Sequence, residues 1–312
     1  MSQRQQLVRT THAMGRLLNV KNTKYTDEIK RFIFTSYESD IADFDITGDL
    51  ISESRQRVAA KIIAKGSGII SGLEEVKYFL AINCKQVMFK TRVADGQQVN
   101  KGMVVATLEG TFGDITVVER TVLNALGRMS GIATITRVFV KKAGVMVLVT
   151  PTRKTYWGLL DKKACSVGGA GTHRLNLGDA VLFKDTHMKL AGRKLEKILI
   201  NIFASKKTGR FIEIEVQNSG QALKVARIVK EHAAMAKGKN IFMMFDNFKP
   251  EGIRKTLSLL RSKGLAGNIY FEASGGVTLD NISAFAKTGV DIVSVGALTH
   301  SARAMDFSLR II

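Results

Sequence analysis

The hydrophobic pattern of the chain changes rhythm near Gly144. Before this glycine, residues 119–143 carry apolar side chains at three- and four-residue spacing, which is typical of a long helix that buries one face. After it, short apolar runs alternate with longer stretches of helical spacing. The runs predict strands at Val145–Thr150, Ala180–Phe183, Phe211–Val216, Ile241–Phe245, Ile269–Ala273 and Asp291–Val295, and the stretches predict helices at Leu195–Ala204, Gln221–Ala236, Glu251–Arg261 and Asn281–Lys287. A strand followed by a helix, repeated, indicates parallel βα units.

Two α/β architectures hold six such strands: an open doubly wound sheet, or a barrel short of eight complete units. We favour the incomplete α/β barrel, because no Gly-x-Gly-x-x-Gly follows a strand as a dinucleotide-binding sheet would show. The chain before the long helix mixes a helix near Asp27–Tyr37, a strand at Val58–Ala64, a helix from Leu73 to Ile82 and short strands around Asp95–Ala106. We therefore expect an N-terminal α+β domain at residues 1–125, to which residues 300–312 are candidates to return, and a barrel at residues 126–299.

Composition narrows the class of protein. The formal net charge of +20 over 312 residues favours polyanionic ligands, from nucleotides to nucleic acid, without choosing among them. No run approaches the ~20 apolar residues that a membrane span needs. Cys84 and Cys165 form no Cys-x-x-Cys pair, so neither a disulfide framework nor a zinc site is indicated, and a reducing cytoplasm fits best. Residues 1–26 are basic and lack any acidic residue, which suits a short basic helix or an organellar transit peptide.

Polar residues follow the predicted strands at their carboxyl ends. In chain order they are Thr152-Arg153-Lys154, Lys184-Asp185, Glu215, Asp246-Asn247, Ser274-Gly275-Gly276 and Gly296. In an α/β barrel these ends share one rim, where active sites of this architecture lie and where a phosphate is often held after the last strands. A basic surface loop would explain the first group alone. Because the placements agree on every strand, they predict a site for a small, highly anionic ligand.

Glycines at the ends of the last two strands suit a phosphate. Gly275 and Gly276 form one turn and Gly296 opens another, so backbone N–H groups and helix N-termini can approach a phosphate monoester without side-chain obstruction. A Gly-Gly turn alone is a weak signal. Its position on the same rim as the charged residues makes it a candidate phosphate site.

Acidic residues near the rim suit a metal or a sugar. Glu215 and Asp246 would be costly as unpaired carboxylates near a buried rim, so they are candidate ligands for Mg²⁺ or for ribose hydroxyls. An ion pair with Lys154 or Lys184 is the alternative. Glu213 lies two residues before Glu215, on the same face of the strand, and stays a further candidate.

The positively charged residues of the rim fall into two groups according to the shape of the anion that each suits. Arg153, His173 and Arg174 form a group suited to planar carboxylates, because arginine offers paired donors. Lys154 and Lys184 are better suited, as point charges, to a pyrophosphate.

These residues, with motifs along nearly the whole chain, resemble the quinolinate phosphoribosyltransferases, the decarboxylating enzymes of NAD synthesis. The matching segments are Asp45-Ile46-Thr47, Gly68-Ile69-Ile70-Ser71-Gly72, Asp95-Gly96 with Gly102, Glu119-Arg120-Thr121-Val122-Leu123-Asn124, Ser130-Gly131-Ile132-Ala133-Thr134, Thr152-Arg153-Lys154-Thr155, His173-Arg174, Lys184-Asp185 with His187, Glu213-Ile214-Glu215-Val216, Asp246-Asn247-Phe248, Glu272-Ala273-Ser274-Gly275-Gly276-Val277-Thr278 and Ser294-Val295-Gly296-Ala297-Leu298-Thr299-His300. Together these motifs are highly specific.

The resemblance implies a type II phosphoribosyltransferase fold that assembles as a homodimer or a higher even oligomer, with each active site completed by the neighbouring chain. It implies that the phosphoribosyl group of phosphoribosyl pyrophosphate passes to quinolinate with decarboxylation, giving nicotinate mononucleotide, pyrophosphate and CO₂. The implied roles are Arg120 for the partner's site, Arg153, His173 and Arg174 for the quinolinate carboxylates, Lys154 and Lys184 for phosphoribosyl pyrophosphate, Glu215 and Asp246 for ribose and the Mg²⁺ cofactor, and Ser274, Gly275, Gly276 and Gly296 for the 5′-phosphate. Lys154, Lys184, Glu215 and Asp246 are thereby the candidate catalytic residues.

Two departures from the family pattern stand out. Tyr156-Trp157 occupy the place where the family usually has Thr-Pro, and Thr186 replaces the usual Asn before His187. We expect the loop after Lys154 to close differently, with more effect on substrate affinity than on the type of reaction, because the charged residues remain.

Two other functions stay open. One is a paralogue of the same fold that acts on another small carboxylate or base, of the molybdate-operon type, and the retained His173-Arg174 and Lys184-Asp185 argue against it. The other is a nucleic-acid-binding protein, which the charge allows. We expect neither nucleic acid nor a membrane as a partner, because no recognised nucleic-acid motif and no spanning run occur in the sequence.

Overall fold

A computed structural model describes the chain from residue 1 to residue 312, with the side chain of Arg193 left undescribed. The α-helices are α1 (Gln3–His12), α2 (Thr23–Ile29), α3 (Thr35–Ile41), α4 (Ile46–Leu50), α5 (Leu73–Asn83), α6 (Phe112–Ala143), α7 (Gly158–Val167), α8 (Asp185–Ala191), α9 (Leu195–Ala204), α10 (Ser219–Glu231), α11 (Pro250–Ser262), α12 (Ile282–Ala286) and α13 (Ala297–His300). The strands are β1 (Arg57–Ala64), β2 (Gly68–Ile69), β3 (Met88–Thr91), β4 (Gln98–Val99), β5 (Val104–Thr111), β6 (Leu148–Pro151), β7 (Val181–Phe183), β8 (Ile212–Val216), β9 (Ile241–Asp246), β10 (Tyr270–Ser274), β11 (Ile292–Val295) and β12 (Phe307–Ile311). A π-helical turn, Lys30–Phe34, joins α2 to α3, and short 3₁₀ turns occur at Gly15–Leu17, Ser52–Arg55 and Gly192–Lys194.

The chain divides into two compact units. The barrel unit comprises Met1–Met14, Phe139–Lys154 and Gly171–Ala297, and the α+β unit comprises Gly15–Val138, Thr155–Ala170 and Leu298–Ile312. This division places residues 1–14 in the same unit as the barrel strands. The sequence instead predicts one N-terminal domain that runs from residue 1 to residue 125.

The barrel unit contains one parallel sheet in the order β6-β11-β10-β9-β8-β7. Its first strand along the chain pairs with its last, and its second strand forms the other edge. This is the neighbour order of a barrel that is left open between β6 and β7, and it is not the order of a doubly wound sheet. The prediction of an incomplete α/β barrel with an N-terminal α+β part is confirmed.

The two faces of the barrel strands differ in chemistry. The residues of one face, such as Ile214, Phe245 and Val293, are apolar and fully buried. The other face carries Glu213 on β8 and Glu272 on β10, which converge on one imidazole although β9 lies between their strands. Side chains can converge in this way only on the concave face of a curved sheet, so the acidic face is the barrel interior.

Helix α1 covers the amino ends of the barrel strands. Its Val8 packs in a cluster with Leu148, Ala180, Phe211, Phe242 and Ile292, all of which lie at or near strand beginnings. Arg4 binds both carboxylate oxygens of Asp291, with Nη2 2.6 Å from Oδ2, and lies 4.4 Å from the centre of the Tyr270 ring. The basic helix expected near the start of the chain is therefore present and packed.

The α+β unit is built on an antiparallel sheet in the order β12-β1-β5-β3. Helix α6 begins at Phe112, earlier than the expected Glu119, because Thr111 and Asp114 bond each other and cap its first turn. Gly131 is the close-packing position that the sequence predicts, since a Cβ there would meet the carbonyl oxygen of Arg303 at 2.0 Å.

Four short helices, α4, α7, α8 and α13, are not predicted from the sequence. In α7 the polar Asp161 and Lys162 are buried together with Leu160 and Ala164, so the helical periodicity is obscured. Over the described part of the chain, none of the helices combines the length and the apolar character that crossing a bilayer requires.

Candidate active site

The carboxyl ends of the barrel strands carry the predicted site residues. Arg153 and Lys154 follow β6, Lys184 follows β7, Glu215 lies near the end of β8, Asp246 and Ser274 end β9 and β10, and Gly296 follows β11. Every predicted site residue except Arg120 belongs to the barrel unit. Arg120 lies exposed on α6 in the α+β unit. The residues at the strand ends therefore lie along a single rim of the barrel unit.

Acids and lysines at this rim lie within electrostatic range of one another. Burial raises the pKa of Glu215, while the nearby Lys184 lowers it and Asp246 raises it. Burial also raises the pKa of Asp246, which Lys154 and Lys184 oppose. The backbone N–H of Asp185 donates to Glu215 at 3.4 Å. The rim thus combines positive and negative groups in a partly buried environment.

The two acidic residues fit a magnesium ion. Glu215 and Asp246 lie on adjacent strands; Glu215 accepts the Asp185 N–H, and Asp246 accepts the side-chain amide of Asn247. Their carboxylate oxygens are the hard donors that Mg²⁺ takes, usually as one or two carboxylates beside substrate phosphates. Partly buried carboxylates with raised pKa values are also groups whose charge a cation would stabilise.

The glycine turn after β10 has the geometry that its sequence suggests. Gly275 has a φ of +90°, and a Cβ there would meet the side-chain oxygen of Asn247 at 2.2 Å. Gly276 has a φ of +63°, and a Cβ there would meet no other atom within 4 Å. Only glycine suits both positions without strain. The turn therefore packs closely against Asn247 at Gly275 and has open space beside Gly276.

Two arginines form the cationic side of the site. Arg174 is 4% exposed, and both burial and the neighbouring Arg153 lower the pKa of its guanidinium group. Among the described residues, its Nε atom is buried without a hydrogen-bond partner, while Nη1 donates to the carbonyl of Ala180 at 3.2 Å. Two like charges close together, one with an unused buried donor, form a site arranged for an anion.

His173 points into the barrel interior. Its Nδ1 accepts the Arg174 N–H at 2.7 Å, and its Nε2 lies 3.1 Å from Glu213 and 3.3 Å from Glu272. Because Nδ1 accepts, the ring carries its hydrogen on Nε2, facing the two carboxylates. Burial, strengthened by Glu272, raises the pKa of Glu213 to about 8, so this pair of acids retains a proton near neutral pH.

Sequence reasoning missed two members of this interior cluster. Glu272 is fully buried, and its signal was present: it precedes Ser274 by two residues, as Glu213 precedes Glu215. His12 of α1 stacks on Phe211 at 4.0 Å between ring centres, and no local pattern connects the first helix with a barrel interior.

The departure at Tyr156-Trp157 has its own packing in the α+β unit. Asp161 accepts the backbone N–H groups of both residues, at 2.9 and 3.1 Å. Arg128 binds the same carboxylate at 2.7 Å and lies 5.4 and 5.5 Å from the centres of the two rings, while Trp157 stacks on Phe32. Hydrogen bonds to Asp161, contacts with Arg128 and stacking on Phe32 therefore hold this aromatic pair in place.

Comparison with known proteins gives two family matches. Residues 45–130 match the profile described as "Quinolinate phosphoribosyl transferase, N-terminal domain", and residues 132–310 match that of the C-terminal domain. Together the two matches cover most of the chain.

Individual relatives agree with these matches. The chain is 35% identical over 282 residues to a protein of Methanothermobacter thermautotrophicus named "Probable nicotinate-nucleotide pyrophosphorylase [carboxylating]", covering 88% of this chain and 95% of the relative. It is 36% identical to the nicotinate-nucleotide pyrophosphorylase of Rattus norvegicus, with 81% of each chain covered. The solved structure of the nicotinate-nucleotide pyrophosphorylase from Francisella tularensis superposes with a TM-score of 0.78 at 29% identity, covering 92% of this chain and 96% of the other.

Proposed function

The chain belongs to the quinolinate phosphoribosyltransferase family, and from this premise we propose that it transfers the phosphoribosyl group of phosphoribosyl pyrophosphate to quinolinate with decarboxylation. The products are nicotinate mononucleotide, pyrophosphate and CO₂. The observation that carries the proposal is the site of the barrel unit, where a buried arginine with an unused donor lies near a second arginine and within electrostatic range of the rim carboxylate Glu215. One end suits a planar dicarboxylate and the other a pyrophosphate with its metal.

Arg153 and Arg174 hold the quinolinate carboxylates in this proposal. The support is their mutual charge effect and the unpartnered Nε of Arg174. His173 was expected beside them as a carboxylate ligand. Its imidazole faces Glu213 and Glu272 in this structure, so we assign it to orienting Arg174, whose N–H it accepts.

Phosphoribosyl pyrophosphate occupies the remaining rim. Lys154 and Lys184 neutralise its pyrophosphate as point charges, and Ser274 with the backbone of Gly275, Gly276 and Gly296 receives the 5′-phosphate. Glu215 and Asp246 accept hydrogen bonds from ribose hydroxyls and hold the Mg²⁺ ion. When bound, this ion would supply positive charge to the leaving pyrophosphate.

The reaction follows from charge and position. The ring nitrogen of quinolinate forms a bond to the anomeric carbon as the bond from that carbon to the pyrophosphate oxygen breaks, and the electron pair leaves with the pyrophosphate. The pyridinium ring then stabilises the carbanion at its second carbon as CO₂ departs, and a proton replaces the carboxylate. The residues of the rim bind and neutralise both substrates, which is the main catalytic contribution expected here.

The direct test is an assay with purified protein, quinolinate, phosphoribosyl pyrophosphate and Mg²⁺. We expect equimolar CO₂ and nicotinate mononucleotide. Nicotinate replaces quinolinate in a parallel assay, because a paralogue with another substrate would prefer a different acid. If neither product forms from quinolinate, the proposed function is wrong.

We also propose a cytoplasmic homodimer with shared active sites, in which Arg120 serves the partner's site. The support is the family resemblance, the exposed position of Arg120 and the two buried, free cysteines. Arg120→Ala and Lys184→Ala chains, each expected to have little activity alone, are mixed and the hybrid is assayed. Recovery of up to one site per dimer is expected. Confirmed hybrids without recovery would mean that Arg120 acts within its own chain.

A further inference from the structure

The loop that carries Arg174 is held by an ion pair outside the predicted site. Arg210 donates from Nε to Asp179 Oδ1 at 2.7 Å, and its Nη2 contacts the second carboxylate oxygen, which makes a bidentate pair. Both side chains are largely buried, at 21% and 14% exposure. Neither residue matched any pattern in the sequence that pointed to chemistry.

The pair fixes the backbone on both sides of Arg174. Arg210 Nη2 also donates to the carbonyl oxygen of His173 at 3.3 Å, immediately before Arg174. Asp179 accepts the N–H of Leu175 at 2.6 Å, immediately after it. The two charged side chains therefore hold the backbone of the residues immediately before and after Arg174.

The far end of the loop is fixed by the same strand beginnings. The Arg210 N–H donates to the Asp179 carbonyl at 3.0 Å, and Ala180 forms a bridge with Gly209. Gly209 has a φ of +67°, and a Cβ there would meet the Asp179 carbonyl oxygen at 2.2 Å. The approach is thus too close for any other residue without a shift of the loop.

The backbone conformation of His173 requires such a restraint. It has a φ of +52°, a left-handed conformation that is strained for a residue other than glycine. Such a conformation persists only where its surroundings over-determine it. The Arg210 contact to its carbonyl and the glutamate contacts of its ring supply that restraint.

We propose that Arg210 and Asp179 are positioning residues for the dicarboxylate half of the active site, holding Arg174 in the orientation that binds quinolinate. The inference rests on the proposed function. Neither side chain touches the substrate. Their effect reaches quinolinate through Arg174. The phosphoribosyl pyrophosphate ligands Lys154 and Lys184 follow the carboxyl ends of β6 and β7, whereas the ion pair lies where β7 and β8 begin.

The test is steady-state kinetics of Arg210→Gln and Asp179→Asn with each substrate varied in turn. A displacement of about 1 Å in a positioned group can cost about 100-fold, so we expect the KM for quinolinate to rise about 10- to 100-fold. The KM for phosphoribosyl pyrophosphate should change less than about threefold, since its ligands are separately held. Arg210→Lys keeps the charge without the bidentate geometry and should fall between the wild type and Arg210→Gln.

The chain supplies a matched control. Arg4 and Asp291 form a second bidentate pair in the barrel unit, and Arg4 also donates to a backbone carbonyl, that of Ile269. Both ion pairs lie at the amino ends of barrel strands, but within the described part of the chain Arg4 and Asp291 make no hydrogen bond to the residues that flank Arg174. Arg4→Gln removes an equivalent contact and should leave both KM values unchanged.

The outcomes separate the two proposals. If the wild type converts quinolinate but Arg210→Gln raises both KM values equally, or neither, the positioning role is wrong and the proposed function stands. If the wild type neither binds nor converts quinolinate, both are wrong. Should Arg210→Gln fail to fold, the folded Arg210→Lys and Asp179→Asn variants decide by the same split between the two substrates.

Discussion

The two ends of the barrel unit use the same strands for opposite purposes. On β9, Phe242 lies in the aromatic cluster beneath the barrel, and Asp246, four residues later on the same face, lies at the charged rim. On the neighbouring strands, the buried Glu213 of β8 pairs in register with Phe242, and the buried Glu272 of β10 pairs with Met244, so both acids lie before the rim residue Asp246. Along the length of one strand, the side chains that face the interior thus change from aromatic, to buried carboxylates, to the partly exposed charged groups of the rim.

The difference shows how a parallel barrel separates stability from chemistry. Residues two apart on a strand share a face and are about 6.6 Å apart, so a single strand can contribute one side chain to each layer. The amino end is closed by α1 and held by apolar and stacking contacts. The carboxyl end is left for ligands. Substitutions at the two ends should consequently affect different measurements, except at Asp179 and Arg210, which lie where β7 and β8 begin and hold the loop of Arg174.

The largest expected effect is a loss of stability at the amino end. Phe242→Ala removes a fully buried ring that contacts His12, Phe211 and Tyr270, and loss of a core phenylalanine costs about 3–5 kcal/mol. Denaturant unfolding measures this change. The KM values of the folded fraction should stay near those of the wild type, and a selective change in substrate binding would break the proposed division of the barrel.

Next in size is a loss of activity at the carboxyl end. Lys184→Ala removes a charge assigned to the pyrophosphate, and we expect kcat/KM to fall about 10²–10³-fold, as for loss of one transition-state contact. The free energy of unfolding should change by less than about 1 kcal/mol, because the side chain is only partly buried. A variant that retains wild-type kinetics would remove Lys184 from the site.

A smaller effect concerns pH and the amino end. Burial, together with the nearby positive charge of Arg210, lowers the pKa of His12 well below 6.5, so the folded state keeps this ring neutral. As pH falls below 6.5 the unfolded state gains the proton first, and stability decreases by up to about 1.4 kcal/mol per pH unit.

His12→Phe tests this effect because it keeps an aromatic ring against Phe211 without a titrating group. Urea unfolding at pH 7.5 and 5.5 should show a smaller acid-induced loss of stability in the variant than in the wild type. Equal losses in the two proteins would exclude His12 as the cause.

The smallest expected effect is at the amino ends of the barrel strands, where Arg4 pairs with Asp291. Arg4→Ala removes the ion pair with Asp291, but Arg4 is 39% exposed, so screening by water limits the loss to about 1 kcal/mol. Thermal unfolding at low and high salt should show a difference that shrinks as salt rises. A large, salt-independent loss would mean that α1 is anchored mainly through Arg4 rather than through Val8 and its neighbours.

Local patterns predicted much of the barrel and its rim. The strands and four of the helices after Gly144, α9 to α12, are predicted because apolar periodicity is a property of neighbouring residues. The rim follows because strand ends are defined by the same pattern. Helix α7 escaped because Asp161 is buried for its bonds to Arg128 and to the backbone of Tyr156 and Trp157, which lie outside any helical repeat.

The sequence by itself determined the βα alternation, the charge of the rim and the family motifs. Only the tertiary structure decided that α1 closes the amino ends, that His173 turns toward Glu213 and Glu272, and that Arg210 pairs with Asp179. The physical reason is the range of the interactions. Periodicity and capping act within a few residues, whereas a buried polar group takes whichever partner the fold brings to it from distant parts of the chain.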